Sequence, residues 1–410
     1  MIKDKKYYGE VWFVGGDENK CFSILYIENN NLFLETNLHS KKPVLKELQI
    51  LGIFTGIGFL TFIDCKIRKS ESGITEMRRY SPKYSFLCAH HHIKAVGLKF
   101  KKFEVNNKAI SDWIDHAVWY NRVEDKLEKK DDLSHKISIK EIGLNITINN
   151  SLSYSSKRTE LSIKNNGYVT FELDNEVSVL EAFNIYNNFQ KLLQLLTSKS
   201  NQFSNFGFQC LTCGEWANIY YNDYKYAKST HTFIHTQYHE VEKDVPIILE
   251  AIYTDGSFSF CIDKLMDSIL NKQTSHNKRF TNSISTFEAF GKLYSTVRTN
   301  NLKKYLKYFA ENFMLIAKID EDAFNKLSSK IIRSRDYHIH SNLSNKNVLS
   351  EFELLYISFL IDFVVAYGLL SSFKISEKLK EKIIIHGQSV FINMQQANQI
   401  LSSNPLNDEL

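Results

Sequence analysis

The sequence is poor in cysteine, in proline and in net charge. Its 410 residues include only six cysteines and four prolines, and 51 basic residues nearly balance 46 acidic ones to give a net charge of +5. Six cysteines are too sparse for a disulfide framework in a chain of this length. So few prolines leave long helices and strands unbroken. The weak positive charge permits a nucleic-acid partner but does not require one.

Apolar runs long enough to span a membrane are also missing. The two longest are shorter than the roughly 20 residues that a spanning helix needs. Residues 50–63 (ILGIFTGIGFLTFI) are interrupted by glycine and threonine, which suits strands, and residues 356–370 (YISFLIDFVVAYGLL) contain Asp362 and suit a buried helix. The start, MIKDKKYYGEVW, has no apolar region like that of a signal peptide. We therefore expect no membrane span and a cytoplasmic protein.

Common nucleotide and metal motifs are absent or incomplete. No GxxxxGK[ST], GxGxxG or HExxH occurs, so nucleotide hydrolysis and zincin chemistry have no support. Cys210 and Cys213 form a CxxC pair, but 17 residues separate it from His231, more than in the usual zinc finger. If the segment from His231 to His239 is a strand, His231 and His235 lie roughly 13 Å apart, whereas on a helix they would share a face. A looser group of possible ligands consists of Cys88, His90, His91 and His92. We therefore expect no metal and no cofactor.

The first 250 residues have the pattern of short strands separated by turns. Pieces such as GEVWFVG, CFSILYI and LFLETNL alternate in hydrophobicity, and turn-forming residues lie between them. Residues 165–167 (Asn-Asn-Gly) predict a hairpin turn. One amphipathic helix interrupts this region, with Ser178 as its N-cap and apolar residues from Val179 to Leu193 at helical spacing.

The pattern changes near residue 255 and is helical from there to about residue 400. We expect five elements: one carrying Ile284 to Val297, one carrying Leu302 to Ile316, a third starting at Asp320, a fourth opening with a capping box at Ser350 and Glu353, and a weaker fifth after Ser376. The predicted fold class is therefore α+β. A β-rich N-terminal domain of residues 1–255, with one or two inserted helices, precedes an all-α bundle of residues 256–402.

An arginine and two histidines lie where the third helix ends, in residues 331–342 (IIRSRDYHIHSN). Phe324, Leu327 and Ile331 define the apolar stripe of this helix, and Arg335 is the next position on it. Burying an unpaired guanidinium would cost several kcal/mol, so Arg335 needs a partner or an opening to a groove. Glu288, within the apolar stripe of the first helix, is a possible partner. A solvated helix end would also explain the cations, because they interact favourably with the helix dipole there.

The cluster resembles the R-x4-6-H motif of the HEPN superfamily. Arg335 and His340 have the required spacing, and Asp336 fills the position after the arginine, where that family usually has a small polar residue. Two long helices before the motif and an apolar helix after it match the HEPN order, and residues 355–376 resemble the corresponding helix of the ApeA-like subgroup. Residues 7–35 resemble the start of the ApeA N-terminal domain, which also tends to carry a tryptophan such as Trp113. The chain is thus similar to ApeA-type phage-defence proteins over most of its length.

The resemblance implies a metal-independent endoribonuclease of the abortive-infection type, in which a β-rich domain senses a phage-derived trigger. The expected partners are RNA, with tRNA a candidate, and a second copy of the chain, because HEPN domains dimerise with their motifs facing each other. Arg335 would stabilise the charge on phosphorus, His340 would transfer a proton, and Asp336 would orient one of them. Arg333 also fits the spacing to His340, and His338 is a second candidate for the histidine.

The same motif is also compatible with two other functions. The first is a HEPN domain without catalytic activity that serves only for dimerisation or RNA binding. The second is a partner in nucleotidyl transfer, whose motif often reads R-x4-H-x-Y. We discount the second because Asn342 stands where that motif has tyrosine.

Overall fold

The computed structural model describes residues 5–29, 31–39, 49–71, 76–95, 97–114, 118–121, 123–129, 133–198, 205–222, 234–270, 275–297, 301–339 and 347–402. The chain forms two compact units. The first comprises residues 1–112, 116–186 and 202–226, and the second comprises residues 113–115, 187–201 and 227–410.

The first unit is built on one antiparallel sheet of fourteen described strands. In chain order the strands of the unit are β1 (Tyr7–Phe13), β2 (Cys21–Glu28), β3 (Asn31–Thr36), β4 (Ile50–Phe54), β5 (Gly58–Ile63), β6 (Lys66–Glu71), β7 (Met77–Ser81), β8 (Tyr84–Cys88), β9 (Lys99–Asn106), β10 (Val118–Asn121), β11 (Lys126–Lys129), β12 (Ser134–Ile139), β13 (Leu144–Lys157), β14 (Glu160–Ser178), β15 (Asn205–Gln209) and β16 (Trp216–Tyr221). The sheet order is β12-β13-β14-β9-β15-β16-β8-β5-β4-β1-β2-β3-β7-β6, and β10 and β11 pair separately.

Alternation of apolar side chains places the core of this unit on one face of its strands. In β3, for example, Leu32, Leu34 and Thr36 are buried, and the residues between them are half-buried. Leu34 belongs to a buried cluster with Val11 and Phe54. The apolar run of residues 50–63 forms the hairpin of β4 and β5, so its prediction as strand is confirmed.

The predicted turn at residues 165–167 is wrong, because these residues lie inside β14 and pair with β13. The hairpin turns at Arg158 and Thr159 instead. Gly167 is needed for a different reason, since its N–H donates to Ser111 Oγ at 2.9 Å and a Cβ on it would lie 2.9 Å from the Ser111 Cα. Ser111 belongs to the short helix α1 (Lys108–Trp113). A close approach to this helix, and not a turn, explains the glycine.

The hairpin of β13 and β14 is longer than the strands beside it. Strand β12 pairs with β13 only as far as Asn149, and β9 pairs with β14 only from Tyr168 onward. Among the described strands, residues 151–166 therefore pair only with each other. They form a two-stranded ribbon, the β13–β14 ribbon.

The second unit is helical. Helix α2 (Val179–Thr197) enters it at residue 187, and the remaining helices are α3 (Tyr238–Val241), α4 (Val245–Thr254), α5 (Gly256–Leu270), α6 (His276–Tyr294), α7 (Leu302–Tyr308), α8 (Ala310–Ala317), α9 (Glu321–Ile339), α10 (Glu351–Ser371) and α11 (Glu377–Ser402). The predicted α+β class is confirmed, with α1 and α2 as the helices inserted among the strands.

Helix α10 is the central helix of the second unit and packs against α5, α6, α8 and α11. The predicted capping box at its start is confirmed, because Ser350 N donates to Glu353 Oε2 at 2.8 Å and Ser350 Oγ accepts from Glu353 N at 3.3 Å. In the described part of the chain, α10 is long and apolar enough to cross a membrane, but 67% of its apolar window is buried inside the unit. Helices α4 and α5 pass the same test only as a pair, and the chain bends by 102° between them.

The single helix expected from Leu302 to Ile316 is in fact two helices. Phe309 separates α7 from α8 with φ −98° and ψ 19°, outside the helical region. The centre of its ring lies 4.6 Å from that of Phe290 and 6.0 Å from that of Phe287. Packing of this ring into the core accompanies a break that the apolar spacing alone does not reveal. Helix α6 carries Ile284, as predicted, but it ends at Tyr294, so Val297 lies beyond its end.

Candidate functional site

Helix α9 carries the arginine–histidine cluster at its C-terminal end. It begins as predicted after Asp320, whose Oδ1 accepts a hydrogen bond from Ala323 N at 2.8 Å. Its C-terminal half is held against the start of α10 by two contacts. Ser334 Oγ accepts from Leu349 N at 2.8 Å, and Lys330 Nζ lies 2.8 Å from Glu353 Oε1. The helix therefore has a defined position just before the arginine–histidine cluster.

The Arg335 guanidinium contacts two carboxylates. Its Nη2 lies 3.0 Å from Glu288 Oε1 on α6, and its Nη1 lies 3.1 Å from Asp336 Oδ1. The predicted pair of Arg335 with Glu288 is confirmed. The exposed fractions of the three side chains are 23% for Arg335, 31% for Glu288 and 37% for Asp336. The guanidinium is thus held between two carboxylates, and the Arg335 side chain remains partly exposed.

Arg333, the alternative arginine of the motif, lies on another face of α9. Two residues along a helix correspond to a rotation of about 200°. Arg333 is exposed, whereas Arg335 is partly buried against α6. The two arginines therefore project in nearly opposite directions.

Of the two histidines in the cluster, His338 is the one that the structure describes. Its ring packs against Phe280 of α6 at 6.4 Å and against Tyr337 at 4.9 Å. Its Nε2 is buried, and no described group hydrogen-bonds to it. Burial lowers the pKa of His338 below its ordinary value, so the ring is neutral at pH 7. His340, the histidine preferred from the sequence, lies outside the described residues.

A buried ion pair lies next to this cluster and was missed in the sequence analysis. Arg279, which precedes Phe280 on α6, has its Nη2 3.0 Å from Asp362 Oδ2, and both side chains are buried. Arg279 Nη1 also donates to the Ser268 carbonyl at 2.6 Å, and Ser268 Oγ lies 3.3 Å from both Asp362 oxygens. The one available signal was a carboxylate inside the apolar run of residues 356–370. This pair holds α6 against α5 and α10.

Burial also changes the protonation of this aspartate. It raises the pKa of Asp362 to about 6, and the charge of Arg279 opposes the rise. Since both groups are enclosed, we assign the pair a structural role.

Cys210 and Cys213, the pair considered for a metal, lie beside a histidine that the sequence did not suggest for them. In the first unit, His91 Nε2 lies 3.5 Å from Cys213 Sγ. Of the histidines that follow the pair in sequence, His231 lies outside the described residues, His235 lies outside any helix or strand and His239 lies in α3. A metal set based on those three histidines therefore has no support among the described residues, whereas the group around His91 has suitable ligand atoms.

Comparison with known families gives two matches that together extend from residue 6 to residue 379. The family described as ApeA N-terminal domain 1 matches residues 6–250, and the family described as Apea-like HEPN matches residues 240–379. A search of curated proteins found no match, and neither did a search of solved structures. The second match contains Glu288, Arg335, Asp336 and His338.

Proposed function

Because the chain belongs to the ApeA-type HEPN proteins, a defence-associated family, we propose that it is an anti-phage endoribonuclease. The proposed division of labour follows the domains expected from the sequence. Residues 1–255 sense a phage-derived trigger, and residues 256–402 cleave RNA. The reaction takes place in the cytoplasm, where the trigger and the RNA meet, and it ends in abortive infection.

The observation that carries this proposal is the position of Arg335. Two carboxylates orient its guanidinium, yet the side chain stays 23% exposed at the end of a helix that leads into His338 and His340. A planar guanidinium presents paired donors that match the oxygens of a phosphate. Histidine titrates near neutral pH and can accept or donate a proton there. Both residue types suit transesterification of RNA without a metal.

The chemistry begins when a histidine takes the proton of a ribose 2′-hydroxyl. The 2′-oxygen then attacks the adjacent phosphorus, and Arg335 stabilises the extra negative charge of the pentavalent intermediate. The bond from phosphorus to the 5′-oxygen breaks, and that oxygen gains a proton as it leaves. The products are a 2′,3′-cyclic phosphate and a 5′-hydroxyl. We assign the proton transfer to His340, with His338 as the alternative, and we assign Asp336 the role of orienting Arg335.

One arginine and one histidine supply few groups for both proton transfers. We propose that two copies of the chain pair through their HEPN domains, so that the cleft receives both residues from each copy. Exposed lysines on the helices, such as Lys303, Lys304 and Lys307, add the positive charge that attracts an RNA backbone.

The test is cleavage of total tRNA in a buffer containing EDTA, using protein purified from uninfected and from phage-infected cells. We expect fragments with 2′,3′-cyclic phosphate ends, and no cleavage of an all-deoxy strand. Arg335→Ala and His340→Ala should lower the rate by about 10²–10³-fold, the usual effect of losing one group that stabilises a transition state. Lys326→Ala on the same helix removes a charge away from the site and should cleave like the wild type.

Two further variants separate the alternatives within the motif. Arg333→Ala and His338→Ala should cut at close to the wild-type rate if Arg335 and His340 carry the reaction. Cleavage by Arg335→Ala at the wild-type rate would refute the site. Loss of activity in Arg333→Ala, with activity kept in Arg335→Ala, would move the assignment to Arg333.

A second function is favoured by the same two carboxylates. Glu288 and Asp336 already occupy donors of Arg335, as expected if the arginine serves to hold the helices together. The chain would then be a HEPN module that dimerises or binds RNA without cleaving it. Tight RNA binding with no cleavage, before or after infection, would establish this function instead.

A further inference from the structure

Two short segments with potential metal ligands meet at one end of the sheet in the first unit. Cys88 ends β8, and His91 follows it after two residues, giving a C-x2-H spacing. Cys210 and Cys213 lie in the loop between β15 and β16, with a C-x2-C spacing. Strand β8 pairs with β16, and this pairing brings together segments that are about 120 residues apart in sequence.

The distances between the ligand atoms suit a zinc site. Cys213 Sγ lies 3.5 Å from His91 Nε2, and the ligand atoms of His91, Cys210 and Cys213 all lie within 4.8 Å of one another. In a tetrahedral site with Zn–S near 2.3 Å and Zn–N near 2.0 Å, neighbouring ligand atoms are roughly 3.5–3.8 Å apart. Side-chain adjustments of about 1 Å or less would therefore bring these three ligands onto one ion.

The loop that carries the cysteine pair is shaped to hold a thiolate. Cys210 N donates to the Glu215 carbonyl at 2.8 Å, and Gly214 N donates to the Cys210 carbonyl at 2.8 Å. Gly214 has φ +73°, the left-handed conformation that favours glycine. The Thr212 hydroxyl lies 3.1 Å from the Cys210 sulfur, within hydrogen-bond distance. Hydrogen bonds of this kind stabilise a sulfur that carries negative charge, as a metal-bound sulfur does.

The other side of the His91 ring supplies the remaining parts of a site. Its Nδ1 lies 3.8 Å from Glu215 Oε2 and 3.5 Å from Cys88 Sγ. A histidine that ligates zinc through one nitrogen usually has a carboxylate at the other, which fixes the orientation of the ring. Glu215 is placed for that role. The buried Cys88 thiol lies 3.5 Å from Nδ1, so it can reach an ion bound at Nε2 only after a change of its side-chain rotamer.

We propose that Cys210, Cys213 and His91 bind one zinc ion and that Cys88 is the fourth ligand. Four protein ligands leave no open position, so the ion has a structural role and takes no part in a reaction. It links the end of β8 to the loop between β15 and β16. This Cys3His site is independent of the nuclease proposal, because it rests on residues of the first unit alone.

The first test is the zinc content of the full-length protein, purified under reducing conditions after growth with added zinc. We expect about one zinc per chain in the wild type and in Cys21→Ser, a control that removes a thiol from β2. In Cys213→Ser the zinc content should fall at least five-fold. Absence of zinc from the wild type, including after refolding with zinc, would overturn the proposal, and so would undiminished zinc in Cys213→Ser.

A pair of substitutions at His91 guards against a misfolded variant. His91→Ala should lose the zinc, whereas His91→Cys should keep it because a fourth thiolate replaces the imidazole. If both variants fold and carry the same amount of zinc, His91 is not a ligand and the proposed site is wrong. A disulfide between Cys210 and Cys213 in protein purified without reductant and supplied with zinc would also overturn it.

The fourth ligand is tested by replacing zinc with cobalt. The near-ultraviolet absorption from thiolate to cobalt grows with the number of bound thiolates, so Cys88→Ser should lower it by about one third. Glu215→Gln should leave its intensity unchanged, because the glutamate contacts the histidine and not the ion. An unchanged band in Cys88→Ser would exclude Cys88 as a ligand.

Discussion

Replacing Arg279 by methionine should destabilise the helical unit strongly at pH 8 and much less at pH 5. The substitution keeps most of the side-chain volume but removes the charge that lies 3.0 Å from Asp362 Oδ2. The exposed fractions of the two side chains are 7% for Arg279 and 0% for Asp362, so water does not replace the lost partner. Leaving one member of a buried pair uncompensated costs about 3–5 kcal/mol.

The pH dependence follows from the protonation of Asp362. Burial raises the pKa of this carboxyl to about 6, and Arg279 limits the rise, so removing the arginine raises the pKa further. An aspartate with a raised pKa in the folded state favours folding below the pKa of the unfolded chain, near 3.8, and loses that effect as the pH rises through the folded value. At pH 5 the carboxyl of the variant is therefore neutral. The remaining cost is that of the lost hydrogen bonds, about 1–2 kcal/mol.

Thermal unfolding at the two pH values measures this difference. With about 2–4 °C per kcal/mol for a unit of this size, Arg279→Met should lower the Tm by on the order of 10 °C at pH 8 and by a few degrees at pH 5. Lys278→Met, an exposed change on the same helix, serves as the control. The double variant Arg279→Met/Asp362→Leu should recover most of the stability, because no buried charge remains. Equal losses at both pH values, or no recovery in the double variant, would refute this account of the pair.

Three other predictions concern local packing and protonation. In His338→Gln, stability should fall less between pH 7 and pH 5 than in the wild type. The lowered pKa of His338 favours the folded state above pH 6.5, and this stabilisation is lost as the pH falls through the folded value. Urea midpoints at the two pH values measure the difference, and equal falls in both proteins would contradict it. Gly167→Ala should lower the free energy of unfolding by about 1–3 kcal/mol, because the added Cβ would meet the Ser111 backbone. In the control Gly256→Ala the added Cβ meets nothing within 4 Å, so stability should be nearly unchanged. Comparable losses of stability in both variants would exclude the close approach as the cause. Ser350→Ala removes the cap of α10 and should cost about 1 kcal/mol in chemical denaturation; an unchanged midpoint would show that the cap contributes nothing.

Much of the helical unit could be predicted because its signals are local. The N-cap of α9 at Asp320 and the capping box of α10 are read from residues three or four positions apart. The pair of Arg335 with Glu288 was accessible too, because an arginine on an apolar stripe demands a partner. The break at Phe309 was not accessible, since apolar residues continue at helical spacing on both sides of it.

Features that depend on distant pairing could not be read from the sequence. Asn165 to Gly167 has the composition of a turn, but the register of β13 with β14 places it within a strand. Arg279 and Asp362 are 83 residues apart, and each looks like a surface charge or an interruption until their helices pack. The cysteine pair was matched with histidines close to it in sequence. The histidine found beside it, His91, is brought there by the pairing of β8 with β16.

The β13–β14 ribbon has a consequence for how this protein meets other chains. None of its described side chains is buried, and an isolated two-stranded hairpin is only marginally stable in water. Among the described strands, neither outer edge of the ribbon pairs with another strand, and another extended peptide can add to such an edge. Addition of a third strand would turn this two-stranded ribbon into a three-stranded sheet. Amide hydrogen exchange confined to residues 151–166 would then report the arrival of such a peptide without any change elsewhere in the fold.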